Sequence, residues 1–332
     1  MSEFLAWKKN YGEYFGIGKE QDEYFHKPWP KNSPKELIET SYFGFNIPEA
    51  GINAEIYHWA HPMYGLSSGG IFIYKGIKSN QIDAAYSNWL NYMPIPEDMT
   101  NCTYENGITV RMIKPLSEWE ISFNDKSTST NLILNLKAIM PPAFRPAGGH
   151  FTQALKTSGE LVLHDKKYII DGFFTRDRSW GDPRSEVKKD PPPAGWHAAV
   201  FSDNLAFHDF SFESPELNPQ LARRYPGYEN GKNFLWGYIW KDNQLIGIKS
   251  TQTQTHLGIR GIGPTEVKLE ITDENDEVHI LNGTVKAALP YAFWPNLPAF
   301  FCLTEWKYRG MTGYGDTQMG VYEQFALENL RD

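Results

Sequence analysis

From Glu39 to Tyr308 the sequence is a succession of short segments in which apolar and polar side chains alternate, broken by Gly, Asn, Asp and Pro. A period of two is that of a strand with one buried face, and it excludes a helical bundle. Ser41–Ile47, Asn53–Trp59, Ser68–Tyr74, Gly107–Ile113, Glu118–Asn124 and Asn131–Ala138 read this way. Gly159–His164, Lys167–Phe174, Trp196–Ser202, Ala206–Glu213, Phe234–Lys241, Gln244–Thr255, Glu266–Thr272, Val278–Ala287 and Phe300–Tyr308 continue the pattern. Lys241-Asp242-Asn243-Gln244 and Thr272–Asp276 have the composition of hairpin turns. Helical spacing is confined to Asp83–Tyr92 and Asn218–Arg224. Many short strands joined by tight turns point to an all-β protein of antiparallel barrels or sandwiches with few short helices.

Aromatic residues make up 15% of the 332 residues, which suits sheets around a wide apolar interior. The length allows an arm over 1–35, an N-terminal β domain over 36–145 and a C-terminal β domain over 146–332. The Pro-rich stretch Met140–Pro146 is the expected boundary, and Lys188–Ala194 is a second Pro-rich loop. A net charge of −8 argues against nucleic acid or an anionic membrane as partner. Cys102 and Cys302 are too few for a disulfide framework and lack metal-site spacing, though one bridge stays open. The start carries no apolar signal segment, and no run reaches the roughly 18 apolar residues of a membrane helix. The expectation is a cytoplasmic protein.

The densest chemistry lies at the end of one strand, in Arg176-Asp177-Arg178-Ser179-Trp180-Gly181. Alternation puts Asp177 on one face and Arg176 and Arg178 on the other. Neighbouring cations lower a carboxyl pKa and desolvation raises it. Asp177 is therefore either an acid facing a cavity or one half of an Arg–Asp lock. His150 precedes it by one hairpin's length, and two antiparallel strands would bring both to one cavity.

Other candidates are weaker. His58 and His61, three apart on a strand, face opposite ways and chelate poorly, so no metal is expected. Trp196-His197 and Phe207-His208-Asp209-Phe210 read as barrel wall, and no Gly-x-Ser-x-Gly elbow supports a serine hydrolase. Arg309–Gly315 is Gly-rich but no helix follows it, so it reads as a strand connection, with Glu323 beyond it as a buried arginine partner. No dinucleotide or Walker motif is present.

The Arg-Asp-x-Ser-Trp-Gly cluster resembles that of the hydroxyneurosporene synthase (carotenoid 1,2-hydratase) superfamily of lipocalin-like proteins, a group similar to kievitone hydratases and to fungal lipocalin-like Diels–Alderases. The resemblance extends in patches to His150, to Glu39-Thr40-Ser41-Tyr42-Phe43, and to Gly313-Tyr314-Gly315 with Glu323. It implies two consecutive lipocalin-like β domains, a ligand cavity at or near their interface, and acid/base chemistry on an apolar substrate without metal or organic cofactor. Asp177 matches the family's acid and His150 its upstream histidine. Arg178 stands where many relatives have His, and Thr152 where carotenoid hydratases carry an aromatic; both count against a carotenoid substrate.

The resulting expectation is a cofactor-independent hydratase, dehydratase or isomerase acting on a hydrophobic unsaturated, terpenoid-like small molecule. Asp177 and His150 would be catalytic, and Trp180, Trp196, His197, His58, Tyr57 and Phe174 would bind substrate. Arg176, Arg178 and Glu323 would be structural ion-pair residues. A carrier of a hydrophobic ligand, or a pericyclase that only folds a polyene, are the alternatives. The oligomeric state is open.

Overall fold

Tyr, Phe, Trp, Ile and Thr crowd the alternating segments, and these side chains fit a pleated, half-buried surface. In a computed structural model, which describes residues 12–29, 37–181, 191–225, 231–294 and 297–330, nearly every such segment is a strand. The chain divides into two compact units, Met1–Ile73 with Ala85–Ser185, and Tyr74–Ala84 with Glu186–Asp332.

The first sheet is built from β1 (Gly16–Ile17), β2 (Glu39–Ile47), β3 (Ile52–His61), β4 (Leu66–Lys75), β5 (Tyr86–Pro94) and β6 (Asn101–Thr103). It continues with β7 (Thr109–Lys114), β8 (Glu118–Asp125), β9 (Thr130–Ala138), β10 (Ala143–Phe144), β11 (His150–Leu163) and β12 (Lys166–Ser179). The strand order is β5-β4-β3-β2-β12-β11-β9-β8-β7-β6, with β10 pairing β1 and β11. This is a curled antiparallel sheet, with Phe43, Phe45, Ile56, Trp119, Leu134 and Leu155 in its main apolar cluster. β2 is buried along its whole length, on both faces.

The second unit is a closed barrel of eight strands in sequence order. They are β13 (Ala194–Ser202), β14 (Leu205–Phe212), β15 (Phe234–Lys241), β16 (Gln244–Ile259), β17 (Gly263–Asp273), β18 (Val278–Trp294), β19 (Leu297–Tyr308) and β20 (Met311–Gly320). β20 pairs with both β19 and β13 and so leaves no open edge. The fold is thus all-β, with two consecutive lipocalin-like units. Asp242 and Asn243, with φ of 51° and 61°, make the β15–β16 turn from residue types that tolerate left-handed backbone. Two short helices, α1 (Pro219–Arg224) and α2 (Glu323–Asn329), add Leu221 and Phe325 to a cluster with Phe300, Cys302 and Met319.

Several expectations change here. Asp83–Tyr92 is not helical: a single 3-10 turn, Gln81–Asp83, precedes β5, whose Trp89 pairs with Gly70 and stacks on Phe72. Arg309-Gly310 is the tight turn between β19 and β20, and Met311–Gly315 begins strand β20, so the stretch is a strand connection as expected. The expected change of domain after residue 145 falls inside the first sheet, because β11 and β12 pair with β9 and β2. The expected arm over 1–35 lies partly outside the described residues; its described part carries a 3-10 turn, Glu20–Glu23, whose Glu23 is buried. Both cysteines are free thiols. Among the described residues no helix is long and apolar enough to cross a membrane.

Candidate active site

Three register relations fix the surroundings of Asp177. On β12 it lies opposite Thr152 of β11 and Tyr42 of β2, and Tyr42 lies opposite Tyr57 of β3. Paired residues in antiparallel strands share a face. Thr152, Asp177, Tyr42 and Tyr57 therefore form one row across four strands. The neighbouring row on that face is His150, Ser179, Thr40 and Trp59. His150 is diagonal to Asp177, about 7 Å along the strand direction, and its Nδ1 lies 2.7 Å from Ser179 Oγ. Asp177 is only 7% exposed, whereas His150 is half-buried.

The arginines point the other way, as alternation requires. Arg176 is fully buried and grips Glu23 with two prongs, Nη1 to Oε2 at 2.9 Å and Nη2 to Oε1 at 2.5 Å. Its Nε donates to Gln153 at 2.9 Å, and its guanidinium lies 3.9 Å from the centre of the Trp119 ring. Arg178 donates to the carbonyls of Thr40 (2.6 Å) and Tyr24 (2.9 Å) and lies 3.5 Å from Glu39. Burial pushes the Glu39 carboxyl up. The hydrogen bond from His26, the charge of Arg178 and the indole of Trp29 outweigh this and hold it below the ordinary range. Both guanidiniums thus have carboxylate partners on their own face, Glu23 and Glu39. Glu323, the expected partner, is instead exposed in the first turn of α2. Its position just past the last strand places it on a solvated helix end.

Of the expected substrate-binding residues, Tyr57 shares the Asp177 face, with its ring 5.0 Å from that of Tyr42. The Phe174 ring lies 5.5 Å from Tyr42 and fills the space that a Cβ on Gly44 would need. Trp180 is on the arginine face, stacked 4.0 Å from His26 and packed with Phe144 and Phe151. Its even spacing from Arg176 and Arg178 dictates that side. His58, opposite Ser41 and hence also on the arginine face, stacks 3.7 Å from Tyr104. Burial pushes its pKa down to about 3, so it is a neutral packed ring. Trp196 and His197 belong to the barrel, Trp196 packing 4.7 Å from His208 and His197 pairing with Asp209.

Glu55 was missed. It is 3% exposed, opposite Gly44, and accepts hydrogen bonds from the Tyr42 hydroxyl and from Asn53 Nδ2 at 2.6 Å. A charged residue in the middle of Asn53–Trp59 looks like the polar side of a half-exposed strand. The signal would have been that both faces of the neighbouring β2 are aromatic. A second carboxylate thus stands on the Asp177 face, bonded to the Tyr42 hydroxyl. In the β17–β18 hairpin, ligand atoms of Asp273, Glu277 and His279 lie within 4.8 Å of one another. There His279 already bonds Tyr308 and Asp273, and Glu277 bonds Arg309.

Two solved structures share this fold over nearly their whole length. Kievitone hydratase from Nectria haematococca superposes with a TM-score of 0.56 at 13% identity, covering 96% of this chain and 98% of its own. A Nitrosomonas europaea protein provisionally described as AttH gives 0.54 at 12% identity, covering 89% and 96%. No curated protein matches in sequence. The family model described as domain of unknown function DUF7064 matches residues 19–322, and the chain belongs to that family.

Proposed function

We propose that this DUF7064 protein is a hydratase-like enzyme that adds water to, or removes it from, a neutral apolar unsaturated small molecule of terpenoid type, without metal or organic cofactor. Asp177 is the acid. It delivers a proton to one alkene carbon; water adds its oxygen to the resulting cation, and the proton that water loses passes to His150 and back to the carboxylate. In reverse, the same carboxyl protonates a departing hydroxyl. Tyr57, Phe174 and Trp59 supply aromatic faces to a cationic transition state. The observation that supports this reading is the separation of charge across β12: a buried carboxyl beside His150 on one face, with both guanidiniums taken up by Glu23 and Glu39 on the other. The fold likeness to a protein named as a hydratase agrees with it.

The test is oxygen exchange. Tertiary monoterpenols, linalool and α-terpineol, are incubated with the protein in 18O-water, and the alcohol and any diene formed are weighed by mass spectrometry. Wild type is expected to exchange the hydroxyl oxygen, and Asp177→Asn to lose about a hundredfold of that rate while keeping its circular dichroism spectrum. Undiminished exchange in folded Asp177→Asn removes Asp177 from the mechanism. A ligand held by wild type and returned with its original oxygen means a carrier.

A further inference from the structure

The barrel of the second unit is layered inside. On β19 the inward residues run Cys302, Thr304, Trp306, and on β14 Phe207, Asp209, Ser211. Cys302 belongs to the apolar cluster of α1 and α2, while Phe207 and Trp306 belong to the apolar cluster of the other half. Between the two lies a polar stratum. His197 Nδ1 is 3.1 Å from Asp209 Oδ2, the Ser211 hydroxyl donates to the same oxygen at 2.7 Å, and Ser211 and Thr253 hydroxyls meet at 2.6 Å. An ionised carboxylate only accepts, so Nδ1 of His197 carries a proton. Ser211 spends its proton on Asp209, so Thr253 donates to Ser211.

In its neutral form His197 is therefore fixed with a bare lone pair on Nε2. That atom is buried and has no hydrogen-bond partner among the described residues, and the same holds for the indole N–H of Trp306, whose ring centre lies 6.1 Å from that of the imidazole. The two residues are 1% and 0% exposed. A Cβ on Gly195 would lie 2.3 Å from His197 Nε2, so glycine at 195 is what lets the ring lie where it does. A buried acceptor and a buried donor, each unsatisfied and close together, are costly unless something fills them. No Lys or Arg of this unit is among the buried side chains described, which disfavours an anion.

We infer that this stratum is a binding site for a small neutral hydroxylated molecule, an alcohol or phenol, whose O–H donates to His197 Nε2 and whose oxygen accepts from Trp306 Nε1. Asp209 is the positioning residue that fixes the imidazole tautomer, and Ser211 and Thr253 hold Asp209. The site is built from residues of the second unit alone and does not depend on the reaction proposed at Asp177.

The full chain, labelled with 15N-histidine, tests this by nuclear magnetic resonance, with His197→Gln to assign the His197 signals. Phenol and cyclohexanol are titrated in, with toluene as the apolar control. The two hydroxylated probes are expected to shift the His197 Nε2 signal saturably and toluene to leave it in place. Trp306→Phe is expected to weaken phenol binding about tenfold, the loss of one hydrogen bond. His197 signals unmoved by both hydroxylated probes, or moved equally by toluene, overturn the inference. So does unchanged phenol affinity in Trp306→Phe. Should that variant fail to fold, the wild-type titration decides alone.

Discussion

Arg176 and Glu23 meet as a two-pronged ion pair with no solvent access, across 153 residues of chain. The pair ties the N-terminal 3-10 turn to the strand that carries Asp177, and it occupies the guanidinium that stands next to Asp177 in the sequence. Breaking it from one side leaves a bare charge in the core. Glu23→Ala is expected to cost about 3–5 kcal/mol, read as the loss of urea midpoint, whereas Glu23→Leu with Arg176→Met together recover most of that loss. A Glu23→Ala protein as stable as wild type would mean that the pair is not formed in solution.

His150 is half-buried and bonded to Ser179, so its removal spares the sheet. His150→Gln is expected to stay within about 1 kcal/mol of wild-type stability and to lose about tenfold to a hundredfold in oxygen exchange on terpenols. Unaltered exchange would leave Asp177 without this partner.

His58 and His208 are held neutral by burial, each pushed from 6.5 down to about 3. Between those values the unfolded chain binds protons that the folded chain refuses. Stability therefore falls as pH drops below about 6.5, by up to about 1.4 kcal/mol per pH unit for each ring. His58→Phe keeps a ring for Tyr104 to stack on and is expected to flatten the slope of unfolding free energy between pH 6 and pH 4. An unchanged slope would show that His58 titrates normally.

Glu213 behaves oppositely. Burial raises its carboxyl to about 7 against hydrogen bonds from Thr255, with Asp209 adding to the rise. The folded state then holds a proton that the unfolded state has released, so the stabilisation is full below about 4.5 and fades as pH rises through 7. Glu213→Gln is expected to be more stable than wild type at pH 8, by up to about 3 kcal/mol, with the gap closing toward pH 5. Thermal unfolding of the two proteins across that range decides it.

Strand alternation carried most of the fold. It also assigned Asp177 and the two arginines to opposite faces, and the hairpin spacing brought His150 to the side of Asp177. It failed where burial, rather than period, decides. Asp83–Tyr92 has the spacing of a helix, but most of it is claimed by the edge of β4 as strand β5. Glu55 looks solvent-facing until both faces of β2 are known to be covered. The partners of Arg176 and Arg178 come from residues 23 and 39, a long-range choice that no local pattern encodes. Trp180 follows the same parity count as Arg178, which puts its indole with His26, Phe144 and Phe151 rather than beside Asp177.

The β2–β12 seam has a kinetic consequence. It joins Thr40 to Arg178 across 138 residues, so the loop it closes is among the costliest in the first unit. During synthesis β2 can zip to β3 at once, but its other border stays bare until the chain beyond residue 178 has emerged from the ribosome. For that interval the nascent protein displays an aromatic ribbon, Tyr42-Phe43-Gly44-Phe45, with one row of amides unmated. Slowing translation across the intervening stretch should lengthen that window and raise the share of product lost to aggregation.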